Sequence, residues 1–232
     1  MTLEEIATFI VADGKGILAA DESNPTCGKR FDSIGVESTE ENRRDYREML
    51  FRSKGMKGNI GGVILFDETI RQSAADGTLL REIILKQGAL PGIKVDKGLQ
   101  PIENFPGETV TVGLDGLDER LKEYAEMGAK FTKWRAVINI GDGIPSDECI
   151  HANMDSLAQY AKCAQENGMV PIVEPEVLMD GEHSIDACYD ASERSLKSLF
   201  EHLEKYQVNI KGTILKPNMV TSGSNHNIQA SI

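Results

Sequence analysis

Phe131-Thr132-Lys133-Trp134-Arg135-Ala136-Val137-Ile138-Asn139-Ile140 is the stretch on which the fold turns. It is a short run rich in aromatic and β-branched residues, the pattern of a strand buried on both faces of a parallel sheet. Residues two apart on a strand share a face, so Lys133 and Arg135 point to one side and Trp134 to the other. Two cations on one face of a buried strand need a polar mouth to point into. Trp134 then belongs to packing between sheet and helix.

Five further runs repeat this character: Gly16-Ile17-Leu18-Ala19-Ala20, Gly62-Val63-Ile64-Leu65-Phe66, Gly92-Ile93-Lys94-Val95, Met169-Val170-Pro171-Ile172-Val173 and Gly212-Thr213-Ile214-Leu215. Amphipathic stretches lie between them, and this alternation is the βαβα rhythm of a parallel sheet. Ser38 and Glu41 read as a capping box ahead of a helix whose apolar residues are Tyr46, Met49 and Leu50. Leu117, Leu121, Tyr124 and Ala125 repeat at helical spacing and stop at Gly128; Met154, Leu157, Ala158 and Ala161 stop at Gly168. Ser184 to Tyr206 gives a longer helix, with Ile185, Cys188, Leu196, Leu199 and Leu203 as its expected buried side. No linker divides the chain, so residues 1–221 are expected to form one domain and 222–232 a coil tail.

Composition narrows the function classes. The 232 residues carry 25 Lys+Arg against 37 Asp+Glu, a net charge of −12 that repels phosphate polymers and anionic lipid. Nucleic acid and membrane are therefore not expected partners, and an anionic substrate must be held by locally clustered cations. Cys27, Cys149, Cys163 and Cys188 show neither a CxxC pair nor ligand spacing and read as reduced thiols. The N-terminus, Met1-Thr2-Leu3-Glu4-Glu5, has no basic n-region, and no run approaches the ~18 apolar residues of a spanning helix. A cytoplasmic location is the expectation; a plastid one would require a transit peptide already removed.

The chemistry collects at the carboxyl ends of the strands: Asp21-Glu22-Ser23, Asp67-Glu68, Lys94-Val95-Asp96-Lys97, Lys133-Trp134-Arg135, Glu174-Pro175-Glu176 and Lys216-Pro217-Asn218. Six charged ends on one side of a parallel sheet describe the catalytic face of a (β/α)8 TIM barrel, of which about six βα units are present. Lys94 with Asp96, Lys133 with Arg135, and Glu174 with Glu176 share faces and can neutralise one another in the mouth. Such a mixed set suits a phosphorylated carbonyl substrate and proton transfer. Lys216, held near Lys133 and partly desolvated, would retain enough free amine to attack a ketone and form a Schiff base. Glu174 and Glu176 are candidates for dehydrating the carbinolamine, and Asp21 for taking a hydroxyl proton.

These residues resemble a known family. Ile17-Leu18-Ala19-Ala20-Asp21-Glu22-Ser23, Gly92-Ile93-Lys94-Val95-Asp96-Lys97-Gly98, Lys133-Trp134-Arg135, Val173-Glu174-Pro175-Glu176 and Leu215-Lys216-Pro217-Asn218-Met219-Val220-Thr221 are similar to the motifs of class I fructose-bisphosphate aldolase, in order, from about Glu5 to Thr221. The resemblance implies Lys216 as the Schiff-base lysine, Glu174 as the acid/base beside it and Asp21 as the base for the C4 hydroxyl. It places Lys133 and Glu176 in charge relay and substrate positioning, and Lys94, Arg135 and Ser23 in binding the sugar phosphate. It implies no metal and no organic cofactor, a glycolytic lyase acting on a small sugar phosphate, and a homo-oligomer, a tetramer in the family. It also implies two further βα units, a phosphate loop and a C-terminal arm beyond Thr221. Ser222 stands where Pro is usual, and the reading finds no family motif in 222–232.

The bland readings stand beside these. Asp67 and Glu68 read equally well as solvated loop charges, and Lys97, opposite Lys94, as part of a structural ion pair. His151, His183, His202 and His226 are scattered without ligand spacing, so no metal site is expected. Two other functions stay open: a different Schiff-base sugar-phosphate lyase, and a truncated, weakly active or inactive chain that binds a partner through open strand edges.

Overall fold

The computed structural model describes residues 1–231. In chain order it runs α1 (Leu3–Ile10), β1 (Gly16–Ala20), α2 (Asn24–Asp32), α3 (Glu40–Phe51), β2 (Ile60–Leu65), α4 (Asp67–Arg71), α5 (Leu80–Lys86) and β3 (Leu90–Lys94). A hairpin of β4 (Leu99–Pro101) and β5 (Thr109–Thr111) follows, then α6 (Leu117–Glu126), β6 (Phe131–Ile138), α7 (Asp147–Glu166), β7 (Val170–Val177), α8 (Ile185–Lys205) and β8 (Ile214–Leu215). The main sheet has the order β1-β2-β3-β6-β7-β8, every neighbouring pair parallel. It is a curled partial barrel whose edges are β1 and β8, with α1 across its amino-terminal end and the longer helices α7 and α8 on its convex side.

The two faces of the sheet have separate cores, and the period-2 pattern explains both. Ile17, Ile64, Leu90, Phe131, Val170, Ile172 and Ile214 point to the concave side and pack with Ile6, Ala7 and Ile10 of α1. These residues close the amino-terminal end of the partial barrel. Glycine is demanded here: a Cβ on Gly92 would overlap the Phe131 ring, and one on Gly61 the Ile10 carbonyl. The residues two or four positions further along the same concave faces are the charged ones, so apolar floor and polar mouth come from a single alternation.

The convex side carries the larger core, including Trp134, Leu157, Tyr160, Leu199 and Leu203. Trp134 is fully buried and stacks on Tyr160 of α7, ring centroids 5.4 Å apart. Burying a side chain of that size contributes about 1.5–3 kcal/mol, and it fixes the facing of Lys133 and Arg135. Ser146 caps α7 by accepting from the Cys149 amide at 3.1 Å, and Gly168 stops it at φ +72°.

Several expectations change. α3 begins after Thr39, whose hydroxyl accepts from the Asn42 amide at 3.1 Å, so Ser38 and Glu41 do not form its capping box. Its buried side is Arg43, Arg47 and Phe51, while Met49 is exposed. Apolar spacing misses this face because two of its three positions are arginines, buried on carbonyl and carboxylate partners. Ile185, at the first turn of α8, is exposed as well. β7 continues through Glu174 to Val177, and β8 is only two residues long because Ile210–Gly212 forms a 3-10 turn. Among the described residues 222–231 there is no helix or strand, yet Ser222 is buried. The segment docks on the loop after β7: the amides of Gly223, Ser224 and Asn225 donate to the carbonyls of His183, Met179 and Gly181 at 2.7–2.9 Å.

Candidate active site

The mouth is a cavity of about 440 Å³ at the carboxyl ends of β1, β3, β6 and β7, lined by Asp21, Lys94, Asp96, Lys133, Arg135, Glu174 and Glu176 among others. At its centre the Lys133 ammonium lies 3.1 Å from Asp21 Oδ2 and 2.9 Å from Glu174 Oε2, with all three side chains nearly buried. Burial pushes Lys133 toward the neutral form, and the charges of Asp21 and Glu174 outweigh it, so its pKa is held above the ordinary lysine value. The other Glu174 oxygen meets the Lys216 ammonium. Asp21, Lys133, Glu174 and Lys216 therefore form one alternating chain of charge across four segments. β1 delivers Asp21, β6 Lys133, β7 Glu174 and the end of β8 Lys216.

The remaining expected residues are arranged in separate pairs. Arg135 is bonded to Glu176 and Lys94 to Asp96. Neither Glu176 nor Lys94 touches Lys133 or Lys216 among the described residues. The Ser23 hydroxyl lies at the rim, 3.0 Å from that of Thr26. Cations and carboxylates in the mouth thus neutralise each other pairwise, and an anionic substrate would compete with Glu176 and Asp96 for the same donors.

Lys216 is more open than expected. Its side chain is 51% exposed and it faces the Glu174 carboxylate rather than Lys133. β8 has one sheet neighbour, and the segment beyond it is open: Met219 is 76% exposed. Asn218 ties this end down, with its carbonyl oxygen accepting from the Val177 amide at 3.3 Å and its amide donating to Ser192 Oγ at 3.0 Å.

Asp67 and Glu68 open α4 and are both paired, Asp67 half-exposed and Glu68 more buried. Arg43 holds Glu68 through two hydrogen bonds of 2.8 and 2.6 Å, which pull its pKa below the usual carboxylate value against a smaller effect of burial. Asp67 accepts from the Tyr124 hydroxyl at 2.8 Å and pairs with Arg71. Lys97 makes no ion pair among the described residues. Arg47 was not anticipated as part of the site. Wholly buried, it donates to the carbonyls of Ala20 and Glu22 at 3.2 and 2.6 Å and so holds the turn that carries Asp21. Arg30, bonded to Glu22 at the rim of the cavity, was also missed.

All four cysteines are free, and burial pushes the Cys149 thiol up to about 12. Among the described residues no helix is long and apolar enough to cross a membrane. Away from the mouth, His151, Asp155 and His202 place one ligand atom each within 4.8 Å of one another. The third ligand comes from a different helix, so spacing along the chain could not reveal it.

A parallel, curled sheet that opens lysines and carboxylates at its carboxyl ends is the catalytic face of a barrel enzyme of the TIM class. Comparison with known proteins makes this specific. The family model "Fructose-bisphosphate aldolase class-I" matches residues 2–232. The chain is 56% identical over 230 residues to a probable class 1 fructose-bisphosphate aldolase of Xanthomonas axonopodis pv. citri, covering 99% of this chain and 69% of that protein. It is 53% identical to the cytosolic fructose-bisphosphate aldolase 4 of Arabidopsis thaliana, over 94% of this chain and 56% of the relative. The aldolase of Plasmodium falciparum, solved in complex with TRAP and a small-molecule inhibitor, superposes with a TM-score of 0.97 at 46% identity, over 99% of this chain and 67% of that one. The chain belongs to the class I fructose-bisphosphate aldolase family, a family of lyases.

Proposed function

We propose that the chain cleaves fructose 1,6-bisphosphate to dihydroxyacetone phosphate and glyceraldehyde 3-phosphate through an imine on Lys216. The observation that carries this reading is the continuous chain Lys216–Glu174–Lys133–Asp21. Glu174 takes a proton from the Lys216 ammonium it faces, the neutral amine adds to the C2 ketone, and Glu174 returns that proton to the departing hydroxyl, releasing water and leaving an iminium. Asp21 takes the C4 hydroxyl proton. The C3–C4 bond breaks, its electron pair passes to the iminium as an enamine, and glyceraldehyde 3-phosphate leaves. Protonation at C3 and hydrolysis then free dihydroxyacetone phosphate and restore the lysine.

In this scheme Lys133 is a positioning residue that lies between the two carboxylates and holds them apart. Glu176 orients Arg135, and Arg135, Lys94 and Ser23 bind the substrate's phosphates and hydroxyls. In this reading residues 1–221 form one barrel-type domain of six main-sheet strands and 222–232 a coil tail. A cytoplasmic location is supported by the cytosolic names of Arabidopsis relatives, and a homo-oligomer belongs to the same reading.

The test is product analysis with fructose 1,6-bisphosphate and other ketose phosphates side by side. Equal amounts of the two triose phosphates, absent in Lys216→Met, are expected. Preference for another ketose phosphate would reassign the substrate. No product from any of them would favour the non-enzymatic reading.

A further inference from the structure

On the convex side, away from the mouth, α7 and α8 bring together three groups that the aldolase reading does not use. His151 and Asp155 are four residues apart on one face of α7, and His202 faces them from α8. The His202 ring is nearly buried, and its Nδ1 lies 2.7 Å from the Ser198 carbonyl. That bond places a ring proton on Nδ1 and turns Nε2 toward Asp155, whose Oδ1 is 3.7 Å away. An imidazole held through its other nitrogen by a backbone carbonyl is the arrangement that orients histidine ligands in metal sites. The His151 ring crosses that of His202 at 69°, with centroids 4.6 Å apart, so the two rings converge edge to face rather than stack. Asp155 is oriented in turn, accepting from Gln159 on one oxygen and from Tyr206 and Lys205 on the other.

We infer that His151, Asp155 and His202 form a binding site for a divalent cation of the zinc type, pinning α7 to α8. Two imidazoles and one carboxylate are a borderline-soft donor set, suited to Zn²⁺ and its neighbours and poorly suited to Mg²⁺ or Ca²⁺. Ligand atoms around tetrahedral Zn²⁺ stand about 3.4 Å apart, given bonds of roughly 2.0–2.1 Å. The 4.8 Å spread therefore has to close by about 1.4 Å. His151, exposed on the helix surface, supplies that movement by a change of rotamer. Water completes the fourth position.

The Lys205 ammonium lies 3.0 Å from Asp155 Oδ1 and is a built-in competitor. Its side chain is 57% exposed, so it can swing into solvent as the cation enters. This gives the site a signature that scattered surface carboxylates lack: removal of Lys205 should tighten the metal, and removal of His151 should release it.

The experiment is titration of the chelator-stripped full chain with Zn²⁺ in competition with a chromophoric chelator, together with the visible spectrum of the Co²⁺ form and the melting temperature. One equivalent is expected to bind. At about 100 times Kd, zinc should raise Tm by about 5–10 °C. Asp155→Asn and His151→Ala should each weaken binding by more than about tenfold and abolish the thermal shift. Lys205→Ala should tighten it, and Cys163→Ser should leave it unchanged. His151 and Lys205 are surface positions, so their variants are expected to fold. The Co²⁺ spectrum of the unmodified chain gives a readout that needs no variant: bands of a low-coordinate His/carboxylate site support the inference. An octahedral aquo-like spectrum, or zinc affinity unchanged in both His151→Ala and Asp155→Asn, would overturn it.

Discussion

Strands β6 and β8 each send a lysine to the mouth of the same sheet, and the two lysines live in different solvents. Lys133, on a central strand flanked by β3 and β7, is 9% exposed at its side chain and neutralised by two carboxylates. Lys216, just past an edge strand, is 51% exposed and shares only Glu174. The difference is one of neighbours: Lys133 lies within a strand paired on both sides, Lys216 just past one paired on a single side, and both face the concave side. It separates two jobs that sequence alone runs together. The buried lysine holds the charge arrangement and the stability of the mouth, and the open one is free to meet a substrate.

That contrast can be broken most severely at Lys216. Replacing it with Met should abolish trapping of dihydroxyacetone phosphate by borohydride while leaving the fold intact, as read by intact mass and circular dichroism. Undiminished trapping would move the chemistry elsewhere. Glu174→Gln should slow imine formation by about 10²–10⁴-fold, the usual range for a positioned acid or base, with an unchanged circular dichroism spectrum.

Stability should respond in the opposite order. Lys133→Met leaves the buried Asp21 without its cation and Glu174 with Lys216 alone, and loss of one partner of a buried pair costs about 3–5 kcal/mol. Lys216→Met removes a half-exposed lysine from a buried Glu174 that keeps Lys133 as its partner, so a smaller loss is expected. Urea midpoints of the two variants compare these directly, and equal midpoints would refute the division of roles. The smallest effect lies at alkaline pH. Groups whose pKa rises on folding, such as Lys133 and Cys149, stabilise the chain below their unfolded values and lose that contribution as pH climbs through the folded ones. For Cys149 the window opens near ~8.5 and extends to about 12. Cys149→Ala should therefore flatten the fall of stability above ~8.5; an unaltered slope would mean that the thiol is not sealed as the fold suggests.

Much of this was legible in the residues. Period-2 alternation in Phe131–Ile138 gave the facing of Lys133 and Arg135, and Trp134 found its partner on α7 as expected. Six strands and their charged ends also followed from local pattern. What escaped was set by contacts distant in sequence. Arg43 and Arg47 lie on a buried helix face that no apolar count detects, because their partners, Glu68 and the Ala20 carbonyl, are 25 and 27 residues away. The exposure of Lys216 depends on how many strands flank β8. The histidine pair required knowing that α7 and α8 pack with His151 against His202.

The central claim is that Lys216, and not the buried Lys133, is the nucleophile. Borohydride reduction in the presence of dihydroxyacetone phosphate, followed by peptide mass mapping, tests it at the level of one imine and without requiring turnover. The adduct is expected on the peptide carrying Lys216 and nowhere else. An adduct on Lys133, or none under conditions that label a full-length aldolase, would contradict it.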